Sequence, residues 1–242
     1  MTDPMRAHYR DLLAPIYRWM LGDPETALAR SRAELALLGI ERAHSGARAL
    51  DLGAGMGLQS LPLAELGYAV TALDASAELL AELREACPSA STIIGDIAEL
   101  ETLAPGTFDV IGCMGDTITH LPSRDAVERV LVSACSKLVP GGIFALTFRD
   151  YASRTLEGDE RFVLVRSDER RILTCFLDYA DETVSVTDIV HELDGSEWSM
   201  RQSSYRKLRL SLEWVKARLE GCGCFVTRAT SEAGRIQLSA IR

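Results

Sequence analysis

The chain has 242 residues, 47% apolar and 25% charged, with a formal net charge of −9. That is enough to bury one sizeable core, and the charge repels nucleic-acid phosphate and anionic membrane surfaces. No apolar run reaches the ~18 residues of a membrane span, and the start carries no charged-then-apolar leader. Six cysteines (Cys87, Cys113, Cys135, Cys175, Cys222 and Cys224) lack a disulfide framework, so the expectation is a cytoplasmic protein in a reducing compartment.

From Met5 to Met20, Tyr9, Leu12, Leu13, Ile16, Tyr17 and Met20 share one face of a helix that Pro15 interrupts. A second helix, Pro24 to Leu38, stops at Gly39. The apolar run Ala47 to Leu52 then passes into Gly53, Ala54, Gly55, Met56 and Gly57. Three glycines at alternate positions let the backbone bend sharply and let a ligand lie on it, facing the free amides of a helix expected near Met56. About twenty residues on, the run Tyr68 to Leu73 ends in Asp74 and Ala75, where a ribose diol finds its acceptor. A dinucleotide fingerprint needs its third glycine one residue later, but position 58 is Leu. Asp51 just before the turn disfavours phosphate and suits an amino group or a sulfonium.

A helix Ala77 to Ala86 and a strand Ser91 to Ile94 follow. After them Asp96 either caps the next helix or accepts from an adenine amino group while Ile97 packs on the ring. The strand Phe108 to Cys113 runs into a polar loop, Met114 to Leu121, at the end of the sheet where chemistry gathers. A helix Ser123 to Leu138, a turn at Pro140-Gly-Gly142 and a strand Ile143 to Phe148 complete an alternating pattern, which predicts a doubly wound parallel sheet.

Beyond Tyr151, runs Arg161 to Arg166, Arg171 to Tyr179, Val184 to Leu193 and Glu197 to Tyr205 read as antiparallel strands, with a hairpin at Asp194-Gly195. A return helix, Leu208 to Leu219, and strands Cys224 to Thr227 and Arg235 to Ile241 close the chain. Cys222 and Cys224 lack nearby His or further Cys, so they read as packing residues and no metal site is expected.

The segment Asp51-Leu-Gly-Ala-Gly-Met-Gly57 resembles motif I of class I S-adenosylmethionine-dependent methyltransferases, and Leu138-Val-Pro-Gly-Gly-Ile143 resembles their turn before strand five. Cys113-Met-Gly-Asp-Thr-Ile-Thr-His-Leu121 resembles more narrowly the C-L-G-N-S-x-x-H-L of the glycine and sarcosine N-methyltransferase branch, departing at Asp116. Phe148-Arg-Asp-Tyr151 resembles the H-R-N-Y of that branch.

The resemblance implies an α/β fold, a doubly wound seven-stranded Rossmann-like methyltransferase sheet with N-terminal helices and a small antiparallel β insertion after strand five. The 242 residues then form one domain: a helical lid (1–45), a cofactor-binding core (46–150), the insertion over the substrate pocket (151–206) and the return helix with terminal strands (207–242).

It also implies S-adenosyl-L-methionine as cofactor, with S-adenosyl-L-homocysteine as product. Asp51, Gly53, Ala54, Gly55, Gly57, Asp74, Ala75, Asp96, Ile97, Cys113 and Met114 would line the cofactor site. Asp116 and His120 are the candidates to take a proton from an amine or hydroxyl acceptor. Tyr9 and Tyr17 would face the substrate, and Arg149 would hold a substrate carboxylate, the role of the arginine in that branch. Arg30 and Arg32 stand where related enzymes often hold the methionine carboxylate, and His8, His44 and His191 have weaker claims. A homodimer is compatible with this reading. The rival readings are an NAD-dependent oxidoreductase and a catalytically inactive protein that binds S-adenosylmethionine.

Overall fold

The computed structural model describes residues 3–242. Its main sheet holds β1 (Arg48–Leu52), β2 (Ala69–Asp74), β3 (Ser91–Ile94), β4 (Phe108–Cys113) and β5 (Leu138–Arg149), paired in parallel. A smaller sheet follows: β6 (Phe162–Ser167), β7 (Arg171–Tyr179), β8 (Thr183–Asp194) and β9 (Glu197–Leu208), all antiparallel. The chain then adds β10 (Phe225–Glu232) and β11 (Arg235–Ile241) to the main sheet, whose order is β10-β11-β5-β4-β1-β2-β3. β11 runs antiparallel to both of its neighbours, β10 and β5. Strand order reverses between β1 and β4, so their carboxyl ends open a crevice there.

The central strands are apolar on both faces because helices cover both. Leu50, Leu52, Phe108, Ile111 and Phe144 pack into one layer, and Ala49, Val70, Ala72, Val110 and Ala145 into the other. The helices start on side-chain caps. Ser76, Ser123 and Ser211 accept from the backbone N–H groups of Leu79, Ala126 and Trp214.

The structure moves several expected boundaries. The helix after the glycine turn begins at Ser60, four residues past Met56, because Gly57 at φ +99° turns the chain once more. β5 begins at Leu138, which already pairs with Phe108, and the Pro140-Gly-Gly142 turn is an irregularity inside the strand. β9 runs on to Leu208 opposite Thr183, which delays the return helix to Leu212–Gly221. The hairpin loop is Gly195-Ser196, since Asp194 still pairs with Glu197.

At the N-terminus, helix Asp3–His8, a π-helical turn Tyr9–Leu13, a 3₁₀ turn Ala14–Ile16 and helix Tyr17–Leu21 follow without a break. Pro15 has no N–H and crowds the preceding carbonyl, so the hydrogen-bond ladder changes pitch around it. This segment is fastened to the small sheet. Leu12 and Ile16 pack on Leu173 and Val190, and Met5 packs among Tyr151, Leu177, Val184 and Tyr205. Trp19 Nε1 donates to Asp168 at 2.5 Å, with the guanidinium groups of Arg166 and Arg171 over its ring.

Cys135 and Cys224 are core packing residues with Cys222 beside them. Among the described residues no His, Cys, Asp or Glu cluster has the geometry to hold a metal, and no helix is long and apolar enough to cross a membrane.

Candidate functional site

A cavity of about 560 Å³ lies over the carboxyl ends of the main-sheet strands, roofed by the N-terminal segment and the inner face of the small sheet. Gly53, Ala54 and Gly55 form part of its floor. Gly53 has φ +73°, and a Cβ there would stand 2.3 to 2.9 Å from the Thr117 side chain. Gly55, at φ +54°, has no atom nearer such a Cβ than Leu79 Cδ1 at 3.9 Å, so it offers the cavity a bare backbone face. The Asp74 carboxylate beside it accepts from the Gly55 N–H at 2.9 Å and the Ser76 N–H at 2.8 Å. Burial raises its pKa against the pull of those donors. Ala75, Asp96, Ile97 and Met114 line the same end. Asp96 also caps the short helix Ile97–Glu99 by accepting from Ala98 N–H, the capping role that the sequence left open.

Three residues expected at the cofactor do not reach the cavity wall. Asp51 is 1% exposed beneath the turn, where it accepts from the Ser60 hydroxyl at 2.6 Å. Burial pushes its carboxyl up to about 6 against that hydrogen bond. Gly57 packs against Leu61 and Leu83, and Cys113 is fully buried inside β4.

At the other end, Asp116 sits in the left-handed region at φ +79°, which a short polar side chain tolerates. Its loop is tied to β5: Gly115 N–H donates to Thr147 Oγ1 at 2.9 Å and Asp116 N–H to Thr147 O at 3.2 Å. Oδ1 accepts from the Arg149 backbone N–H at 2.6 Å, and Oδ2 from Lys207 Nζ at 2.6 Å, with Arg149 Nε at 3.7 Å. Burial opposes the charge, but Lys207 and then Arg149 hold the carboxyl down at about 2. A carboxylate so committed is a weaker proton acceptor than a free one.

His120 also lines the cavity, with Nε2 3.5 Å from the Tyr9 hydroxyl and the Tyr205 ring stacked at 5.5 Å. Burial, then the Lys207 charge, depress its imidazole to about 3, so it is neutral and a weak base.

Tyr9, Tyr17 and Arg149 all reach the wall. Arg149 pairs with Asp116, while Asp150 binds Ser153 and Ser231, and Asp178 meets Arg161. Arg30 lines the cavity; Arg32 pairs with Glu65 elsewhere. His44 lies on the surface against Asp109.

The roof adds residues that the sequence reading missed: Tyr151, Cys175, Asp188, Tyr205 and Lys207. Lys207 is 6% exposed between the rings of Tyr205 (5.7 Å) and Tyr151 (5.8 Å); burial opposes its charge, and Asp116 more than restores it. Asp188 accepts from His8 Nε2 at 3.0 Å and from the Cys175 thiol at 2.7 Å. The available signal was two-residue alternation, which puts Val184, Val186, Asp188 and Val190 on one face of a strand.

A family model described as a methyltransferase domain matches residues 49–142. Glycine N-methyltransferase of Rattus norvegicus is 31% identical over 153 residues, covering 57% of this chain and 52% of the relative. A ubiquinone biosynthesis O-methyltransferase of Xanthomonas campestris pv. campestris (strain B100) is 34% identical over 137 residues, covering 54% and 55%. The chain thus spans about half the length of the curated relatives it matches. The CcbJ methyltransferase from Streptomyces caelestis superposes with a TM-score of 0.78 at 20% identity, over 96% of this chain and 97% of that one. CalS10, an amino pentose methyltransferase from Micromonospora echinaspora solved with S-adenosylmethionine bound, gives 0.73 at 19%, over 100% and 98%. At these identities the solved structures establish the fold.

Proposed function

We propose, from the premise that this chain belongs to the class I S-adenosylmethionine-dependent methyltransferases, that it methylates a nitrogen or oxygen of a small molecule carrying a carboxylate. The observation behind this reading is that one cavity joins the open backbone face of Gly55, beside Asp74, to the Asp116, Lys207 and Arg149 cluster.

The floor fits S-adenosylmethionine. Gly55 leaves room for a ligand directly on the backbone. Asp74 accepts from the backbone N–H groups of Gly55, Ser76 and Ala75, and the ~four lone-pair directions of a carboxylate leave capacity for a ribose hydroxyl. Asp96 and Ile97 would hold the adenine, and Arg30 the carboxylate of the methionine moiety. Bound there, the cofactor supplies an electrophilic methyl group on a sulfonium sulfur.

The chain's own contribution is position and exclusion of water. The hydrogen bonds of Asp116 and Thr147 fix the loop that carries His120. Lys207 neutralises Asp116, so Arg149 keeps charge to offer an acceptor carboxylate. Tyr9, Tyr205 and the neutral His120 form a half-apolar wall around the acceptor.

Calorimetry with S-adenosylmethionine and S-adenosylhomocysteine tests the cofactor half: micromolar binding is expected, lost in Asp74→Ala, and no binding to the unaltered chain overturns it. Transfer of labelled methyl to amines, phenols and acids tests the acceptor half. For Arg149→Ala, KM is expected to rise on the order of tenfold or more, with cofactor Kd unchanged.

A further inference from the structure

Resting on the methyltransferase reading, the geometry points to Asp188, backed by His8, as the group that seats the acceptor as a cationic amine and takes its proton before methyl transfer. Asp188 stands mid-strand in β8 between the buried Val186 and Val190, 3% exposed, and lines the cavity. His8 Nε2–H donates to its Oδ2 at 3.0 Å and the Cys175 thiol to its Oδ1 at 2.7 Å. Those contacts use two of the ~four lone-pair directions of a carboxylate and leave the others for a ligand.

The contrast with Asp116 gives the assignment its direction. Asp116 has a lysine at 2.6 Å and an arginine at 3.7 Å. Asp188 has a histidine and a thiol, and among the described residues no lysine or arginine forms an ion pair with it. A buried carboxylate is costly unless a positive charge joins it, and an acceptor ammonium brings one. His8 is 1% exposed, and its other ring nitrogen is buried without a partner, an arrangement that packing alone does not reward. The titratable groups around Asp188 are His8 and Tyr9 from the N-terminal segment, Cys175 from β7, and Tyr205 and Lys207 from β9. Tyr9 and Tyr205 line the cavity, and aromatic faces accept an alkylated ammonium.

In the step proposed, one N–H bond of the ammonium breaks toward Asp188. The proton goes to the carboxylate, and the bond pair stays on nitrogen. That pair forms the bond to the methyl carbon as the sulfur–carbon bond breaks with its pair kept by sulfur, and the methylated amine again carries a positive charge. Asp188 returns its proton to water when product leaves.

The test uses the full chain saturated with S-adenosylhomocysteine. Binding of that nucleoside to wild type, Asp188→Asn and Asp188→Glu is measured first; its absence from wild type refutes the methyltransferase reading, and its presence in the variants shows that they are folded. Methylammonium chloride is then titrated while the His8 ring resonances are followed by NMR, with methanol as the neutral probe. A saturable shift with methylammonium and none with methanol is expected, weakened on the order of thirtyfold or more in Asp188→Asn and kept in Asp188→Glu. If nucleoside binds but methylammonium gives no shift, or the same shift in Asp188→Asn, the assignment to Asp188 is wrong. In turnover with n-butylamine, glycine, catechol and benzoate, Asp188→Asn should lose about a hundredfold on the amines. A wild-type enzyme that methylates only catechol or benzoate overturns the proposal.

Discussion

Lys207 of β9 and Asp116 of the loop after β4 meet at 2.6 Å, joining the roof of the cavity to the main sheet by a nearly dry ion pair. Removing one partner leaves the other buried and unpaired. Lys207→Met should therefore cost about 3–5 kcal/mol of stability, measured by urea unfolding, while Lys207→Met with Asp116→Asn should recover most of the loss. The acid limb follows from the same pair. The folded carboxyl titrates at about 2 against an ordinary 3.8, so its stabilisation is present above about 4 and is lost as pH falls toward 2.

Asp51 predicts the opposite sign. Its folded value of about 6 lies above the ordinary 3.8, so the folded state binds the extra proton and stability falls as pH rises from about 4 to 6. Asp51→Asn keeps an oxygen for Ser60 without the buried charge. It should be more stable than wild type at pH 8, by on the order of 2–3 kcal/mol, with the gain shrinking below pH 4. Unfolding curves at the two pH values check this.

His120 should stay neutral across the whole working range. Its folded value near 3 lies below the ordinary 6.5, so the unfolded chain takes up a proton first and stability drops as pH falls from about 6.5 toward 3. Ring resonances assigned to His120 should show no titration between pH 5 and 9, and His120→Gln should flatten that part of the stability profile.

The two floor glycines should fail differently on substitution by alanine. Gly53→Ala drives a Cβ into Thr117 at a positive φ, so a loss of stability of about 2 kcal/mol or more is expected. Gly55→Ala meets only Leu79 at 3.9 Å and costs mainly the backbone strain, about 1 kcal/mol. Its larger effect should be on S-adenosylmethionine affinity, because the new methyl group stands on the cavity floor. Thermal unfolding and calorimetry of both variants separate the effects.

The main sheet was legible because its signals are local. The helix Ala77–Ala86 and the strands β3, β4 and β11 have the bounds that the local pattern predicts, and the structure adds Ser76 as the cap of that helix. The glycine turn and Asp74 were legible as a pair because strand and turn dictate their spacing. The roof was not. Alternation marks Asp188 and Lys207 as facing the same way as their valine or tyrosine neighbours, but whether that face meets solvent or a cavity depends on how the small sheet docks. The fate of Asp116 shows the same limit. Its partner Lys207 lies 91 positions away, and only the fold shows that its charge is already spent.

The way the roof is joined also sets an order of assembly during vectorial synthesis. The segment carrying His8, Leu12 and Ile16 precedes in the chain the surface it covers, which is built by Leu173, Asp188 and Val190. Those residues emerge more than 150 positions later, so the segment waits uncovered while the sheet beneath it forms. Closure of the chamber therefore depends on contacts between the Met5–Ile16 segment and strands made after β5.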